Sequence, residues 1–220
     1  MNKRRKTGGI SWLYWALVIL LVIIIVILAI LLVVEKNKRP GRASVYNVEN
    51  VEQYRPEIDV ELLTPNMYSR PETPVGTITG IVIHYVANPG TSAIDNRNYF
   101  EGLKDSHETY ASSHFIVGLE GEIVQCIPTS EVAYASNERN SDTVSIEVCH
   151  PDETGKFKDV TYDSLVELTG WLCEYLHVPV ENVIRHYDVT GKLCPLYYVE
   201  HEDAWVQFKD DVYQWVERHQ

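Results

Sequence analysis

Ile78-Thr79-Gly80-Ile81-Val82-Ile83-His84-Tyr85-Val86-Ala87 is a β-branched run, bounded by Gly76 before it and Pro89-Gly90 after it, and reads as a buried strand. A histidine stands near its end. Downstream, Ser92 is placed to cap a helix running to about Leu103. The segments 113–119 and 122–127, joined by a turn at Glu120-Gly121, have the pattern of a hairpin. From Thr143 to Cys149 the chain alternates: Val144, Ile146 and Val148 face one way, Ser145, Glu147 and Cys149 the other. Thr161-Tyr162-Asp163 opens an amphipathic helix ending near His177, with Pro179 beyond. Asp203 to Glu217 forms a last helix, its Trp205, Phe208, Val212 and Trp215 at the spacing of a core-facing stripe. These elements predict an α/β domain, a central mixed sheet flanked by helices.

The N-terminus is of another kind. Ile10 to Val34 is 25 residues without a charge. As a helix it would cover about 37 Å, against roughly 30 Å of membrane hydrocarbon. Trp12, Tyr14 and Trp15 fall where an interfacial aromatic belt would sit. A cleaved signal peptide is the competing reading, but its apolar region is shorter and ends in a small-residue site that this run lacks. The expected organisation is a basic cytoplasmic tail (1–9), a transmembrane helix (10–34), a juxtamembrane stalk or an arm lying on the domain (35–76), and one domain (77–220). Lys3, Arg4, Arg5 and Lys6 precede the span, and Lys36, Lys38, Arg39 and Arg42 follow it, so flanking charge does not decide orientation.

Residues 1–42 carry eight basic side chains and one acidic, net +7, whereas 43–220 carry 11 basic and 30 acidic, net −19. So acidic a domain is a poor partner for nucleic acid, whose phosphates need Lys and Arg to displace counterions. Four cysteines (126, 149, 173 and 194) show no C-x-x-C pairing and are too few for a disulfide scaffold. Apart from Cys194 they read as small buried hydrophobes, with one disulfide an open alternative.

Chemistry concentrates in Arg185-His186-Tyr187-Asp188-Val189-Thr190-Gly191-Lys192-Leu193-Cys194-Pro195. An imidazole and a thiol with seven residues between them can both bind zinc, and His84 adds a third donor. A catalytic zinc site uses three protein ligands and leaves one position to water. The H-x7-C spacing is not specific by itself, and a lone strand histidine is as readily a core group.

From about Gly80 to Val216 the chain resembles the zinc-dependent N-acetylmuramoyl-L-alanine amidases of the type 2 amidase family, relatives of the peptidoglycan recognition proteins. IVIHYVANPG, SSHFIVGLEGEIVQCIP, TVSIEVCHPDETGKF and RHYDVTGKLCP carry the likeness, in the family's order. The resemblance implies one Zn2+ per chain held by His84, His186 and Cys194. It implies Glu147 as general base and Lys192 as the cation opposite a developing oxyanion. Asp188 would orient His186 or cap the following turn. His114 is expected to be structural or substrate-facing, not a fourth ligand. Two departures stand out. Ser113 replaces a tyrosine that some relatives carry before the HF pair, and Tyr134 replaces a histidine in the segment after the hairpin, where it could still donate a hydrogen bond.

The implied reaction is hydrolysis of the amide between N-acetylmuramic acid and L-alanine in peptidoglycan. A receptor that binds muropeptides without cutting them is the alternative, and cleavage of another amide a third. Peptidoglycan lies outside the cytoplasmic membrane, so the expected location is a single-pass membrane protein with an extracellular catalytic domain.

Overall fold

The computed structural model describes residues 9–37 and 51–219 and divides the chain into two units, 1–45 and 46–220. In the first, α1 is helical from Gly9 to Asn37, 29 residues covering the expected 10–34. Trp12, Tyr14, Trp15 and most aliphatic side chains from Leu17 to Ile30 are exposed. Among the described residues, no helix is long and apolar enough to cross a membrane. Residues 1–8 of the expected basic tail and 38–50 of the expected stalk lie outside the described residues.

The second unit is built on six strands: β1 (Asp59–Val60), β2 (Gly80–Ile83), β3 (Phe115–Val117), β4 (Ile123–Gln125), β5 (Thr143–Val148) and β6 (Val183–Arg185). Their order across the sheet is β1-β4-β3-β5-β2-β6. Only the β3–β4 hairpin is antiparallel, so the sheet is mixed, as expected. Among the described residues five α-helices accompany it: α2 (Ala93–Ser106), α3 (Asp159–Tyr175), α4 (His186–Thr190), α5 (Leu196–Glu200) and α6 (Glu202–His219). Ser92 caps α2 with a reciprocal bond pair, its hydroxyl accepting from Asp95 N–H while the Asp95 carboxylate accepts from Ser92 N–H.

Strand alternation sorts the core. Val144, Ile146 and Val148 join Ile81, Ile83, Phe115 and Val117 beneath α3 and α6, while Ile116, Val124 and Cys149 pack on the other face with α2 residues Phe100 and Leu103. All four cysteines are free and buried. The α6 stripe of Trp205, Phe208, Val212 and Trp215 is buried in the first of these cores.

The expected domain boundary at 77 falls too late, because residues 51–76 belong to the domain. Val51, Tyr54 and Ile58 pack on the α3–α6 core. β1 adds a parallel edge strand, Asp59 beside Val124. Leu63 is 1% exposed within the α2-side core, and Arg97 of α2 donates to the Glu61 and Leu62 carbonyls at 2.9 and 2.8 Å. Of the two readings of this segment, stalk or arm lying on the domain, residues 51–76 follow the second, their prolines breaking the arm into short pieces docked separately.

Candidate metal centre and active-site cleft

β2 and β5 run in parallel register with Ile83 beside Ile146. His84 and Glu147 come next on each strand, and the His84 N–H bond to the Ile146 carbonyl, 2.8 Å, carries the ladder past Ile83. Since Ile83 and Ile146 point into the α3–α6 core, the period of two turns His84 and Glu147 to the opposite face. On the other side of β2, Arg185 of β6 pairs with Ile83, so His186 emerges at the same end of the sheet. The chain then doubles back. Gly191, at φ 77°, ends α4 in the left-handed conformation, and Tyr187 N–H donates to the Cys194 carbonyl at 2.9 Å. A seven-residue separation in sequence thereby becomes a pair in space.

His84, His186 and Cys194 come together with donor atoms all within 4.8 Å of one another. Cys194 Sγ lies 3.8 Å from His84 Nδ1, and the two imidazole centroids are 4.7 Å apart. All three residues are buried. Behind them, His84 Nε2 lies 3.2 Å from Ser136 Oγ and His186 Nε2 lies 3.0 Å from Asn137 Oδ1.

Whether these residues fit a cation can be judged from their own chemistry. His186 Nδ1 is buried with no hydrogen-bond partner among the described residues, an arrangement that costs free energy unless something else occupies the lone pair. Burial holds His84 well below the ordinary imidazole range, and its closeness to the His186 ring and to the Lys192 cation adds to the effect. Burial also lowers His186, with Lys192 adding to the effect. Both rings are therefore neutral ligands at pH 7. Burial, with Glu147 nearby, pushes the Cys194 thiol up to about 12. A divalent ion reverses that preference by stabilising the thiolate outright. Two neutral imidazoles and one thiol make a donor set of the zinc type.

The three donors line one wall of a cleft of about 180 Å³, which Glu147, Lys192 and Tyr134 also line. Burial pushes the Glu147 carboxyl up to about 8, against the opposing pull of Lys192. Glu147 Oε2 is buried without a hydrogen-bond partner among the described residues. The Lys192 side chain is exposed and makes no ion pair among the described residues. Tyr134 meets Tyr110 edge-to-face at 5.7 Å.

Two expected residues stand apart from this cluster. His114, 1% exposed, accepts from Ser145 N–H at 3.0 Å through Nδ1 and donates to the Glu131 carbonyl at 2.9 Å through Nε2. It ties β5 to the loop after β4. Asp188 caps α4, accepting from the Arg185 backbone N–H at 2.8 Å and from its guanidinium at 3.1 and 2.9 Å. Its carboxylate is spent there and not on the His186 ring, which is held by Asn137. Ser136 and Asn137 belong to no sequence motif, nor do Phe100, Ala111 and Ser112, which also line the cleft. Only the run Ala133-Tyr134-Ala135-Ser136-Asn137, polar and small after a hairpin, hinted at a functional loop.

Residues 74–196 match the family described as N-acetylmuramoyl-L-alanine amidase. Among curated proteins, a probable N-acetylmuramoyl-L-alanine amidase of Bacillus licheniformis is 35% identical over 142 residues, 59% of this chain and 40% of that protein. The N-acetylmuramoyl-L-alanine amidase CwlL of the same species is 32% identical over 160 residues, 67% of this chain and 44% of that protein. The chain thus spans under half the length of these relatives. The solved PlyG catalytic domain is 25% identical with a TM-score of 0.62, covering 73% of this chain and 96% of that domain.

Proposed function

We propose, since this chain belongs to the N-acetylmuramoyl-L-alanine amidase family, that it is a peptidoglycan hydrolase cutting the amide between N-acetylmuramic acid and the L-alanine of the stem peptide. The observation that carries this reading is the meeting of His84, His186 and Cys194 with Glu147 and Lys192 in one cleft. Zn2+ held by His84, His186 and Cys194 would supply Lewis-acid polarisation of the carbonyl and acidification of water.

The chain's own groups do the rest. Glu147, poised high by burial, takes a proton from the attacking water as its oxygen bonds to the lactyl carbonyl carbon. Lys192 offsets the negative charge that gathers on the carbonyl oxygen. When the carbon–nitrogen bond breaks, Glu147 returns that proton to the departing amine. The products are a lactyl carboxylate on the glycan and a stem peptide with a free L-alanine amino group. Tyr134, at the cleft wall, is placed to donate a hydrogen bond to the bound substrate.

We propose further that α1 anchors this domain in the cell membrane. The 25 uncharged residues from Ile10 to Val34 support it, as does the outward exposure of the described apolar side chains in α1. Since the substrate lies outside the cytoplasmic membrane, the catalytic domain is assigned to that side.

Digestion of purified sacculi followed by mass spectrometry of the fragments tests the activity. Free lactyl carboxylates paired with N-terminal L-alanine peptides are expected. Binding to sacculi without product would point to a receptor, and cut peptide crosslinks with intact lactyl amides to a different hydrolase. Protease added to intact cells should digest the C-terminal domain, and full protection would reverse the topology.

A further inference from the structure

We propose that Ser136 and Asn137, adjacent on one loop, are positioning residues that fix both histidines as Nε2–H tautomers and so leave both Nδ1 atoms for the metal. The inference deepens the zinc reading above and rests on it.

Asn137 carries the stronger half of the argument. Its Oδ1 can only accept, so at 3.0 Å His186 Nε2 must hold the hydrogen. Turning the amide to present Nδ2 would move that hydrogen to Nδ1, which is buried and has no acceptor among the described residues. The Nε2–H form is therefore the one the surroundings satisfy, and its free lone pair is on Nδ1. At His84 the Ser136 hydroxyl can accept as well as donate, and the Nε2–H form is the one that leaves Nδ1 free beside Cys194 Sγ. Nε2 lies 3.2 Å from the hydroxyl of Ser136, which is 1% exposed, while Nδ1 faces Cys194 Sγ.

The loop is built to hold that pose. Asn140 Oδ1 accepts from the Ala135 and Ser136 amides at 3.1 and 2.6 Å. Arg139 N–H bonds the Ser136 carbonyl at 3.0 Å, and Asn140 N–H bonds the Asn137 carbonyl at 3.1 Å. The Arg139 guanidinium grips Asp142 at 2.8 and 2.9 Å, anchoring the far end. Asn137 sits at φ 52°, a left-handed conformation that asparagine tolerates better than most residues with a Cβ. His84 ends a strand and His186 opens a helix, about a hundred residues apart in sequence. One pair of neighbouring side chains orients both. Tyr134, two residues earlier, lines the cleft, so the segment that aims the ligands is continuous with the one that shapes the substrate wall.

Zinc affinity of the full-length chain in detergent, measured by competition with a chromophoric chelator, tests the proposal without reference to catalysis. Asn137→Gly keeps the left-handed backbone and removes the acceptor; Asn137→Asp keeps both. Ser136→Ala and Ser136→Thr form the matching pair. The Gly and Ala variants should each bind Zn2+ about 10–100-fold more weakly, and the Asp and Thr variants should return to within a few-fold of wild type. Nitrogen-15 imidazole spectra of the metal-free wild type should show both histidines protonated at Nε2. Wild-type affinity in Asn137→Gly and Ser136→Ala would overturn the proposal, even with a lowered melting temperature. So would an Nδ1–H signal from His186. A wild-type chain that binds no Zn2+ would overturn this inference together with the zinc reading, whereas tight binding without sacculus cleavage would leave it standing and remove only the hydrolase.

Discussion

His84 and Glu147 are neighbours across two parallel strands, each one residue past the registered pair Ile83–Ile146 and both on the face away from the α3–α6 core. The sheet itself therefore brings a metal-type ligand and a carboxylate together, at about the 4.8 Å spacing of adjacent strands. Replacing Glu147 with Gln preserves shape and removes the base. The expected result is a fall in kcat of about 10²–10⁴-fold with zinc content unchanged. Protonated Glu147 cannot accept a proton, so activity is lost as pH falls through its pKa. Burial sets that value at about 8, and a bound divalent ion draws it lower. The acid limb of kcat should fall below about 8 yet above the ordinary carboxylate value of 4.5, and should vanish in Glu147→Gln. A Gln variant of wild-type rate would remove the base assignment.

Arg185, immediately before His186, is 7% exposed and fully engaged. It bonds Asp188, Glu202 at 2.6 Å and the Tyr198 carbonyl at 2.9 Å, and lies 5.3 Å from the Trp205 ring. Arg185→Met leaves these acceptors unmatched. A fully buried pair broken this way costs about 3–5 kcal/mol. Glu202 and Asp188 retain contact with water, with side chains 65% and 31% exposed, so about 2 kcal/mol is expected. Over a domain of this size that lowers the melting temperature by about 4–8 °C. Arg185→Lys should recover only part, because a single ammonium cannot reproduce the fork. An unchanged melting temperature in Arg185→Met would show the network to be superficial.

What the sequence made legible follows the physics of each element. Val144, Ile146 and Val148 alternate with Thr143, Ser145 and Glu147 over the six residues of β5, long enough for the period of two to announce which face Glu147 takes. β6 has only three residues and β1 two, too few for any period, and both were missed. α3 begins at Asp159, two residues before the expected start. For Asp188, orienting His186 and capping a turn predict the same residue at the same place. Only the geometry separates them, and it shows a third arrangement: Asp188 reaches back to Arg185 at the start of α4 instead of forward to the turn that follows. Ser136 and Asn137 lie in a run that hinted at a functional loop, but their individual roles were not legible for a different reason. Their meaning lies in which imidazole each one touches, a fact of tertiary structure with no local pattern.

His114 makes a prediction about acid. Its Nδ1 accepts from a backbone N–H and its Nε2 donates to a carbonyl, so a second proton would set N–H against N–H. Burial lowers its pKa from 6.5 to about 4. Between those values the unfolded chain binds the proton and the folded one does not, so stability rises with pH across the window. The contribution is complete above 6.5 and lost as pH falls toward 4, amounting to about 3 kcal/mol. His114→Gln keeps a donor for the Glu131 carbonyl and no longer titrates. Its melting temperature should therefore drop less than that of wild type between pH 6.5 and 4. Parallel curves for the two proteins would mean that His114 titrates normally.

Gly170 of α3 decides the sign of a substitution that helix propensity alone would misjudge. Alanine in a helix interior is favoured over glycine by about 1 kcal/mol. Here an added Cβ would clash with Trp215 Cε3 and lie 2.6 Å from Cδ2, on a ring only 6% exposed. Indole is rigid and packed between α3 and α6, so it cannot swing aside as a flexible chain end would. Overpacking of this kind costs about 1–3 kcal/mol, enough to cancel or exceed the propensity gain. Gly170→Ala should lower the melting temperature by a few degrees. The control is Gly102 of α2, where an added Cβ meets nothing within 4 Å; Gly102→Ala should raise it. If both alanines stabilise, the α3–α6 contact is looser than the packing of Trp215 on Gly170 requires.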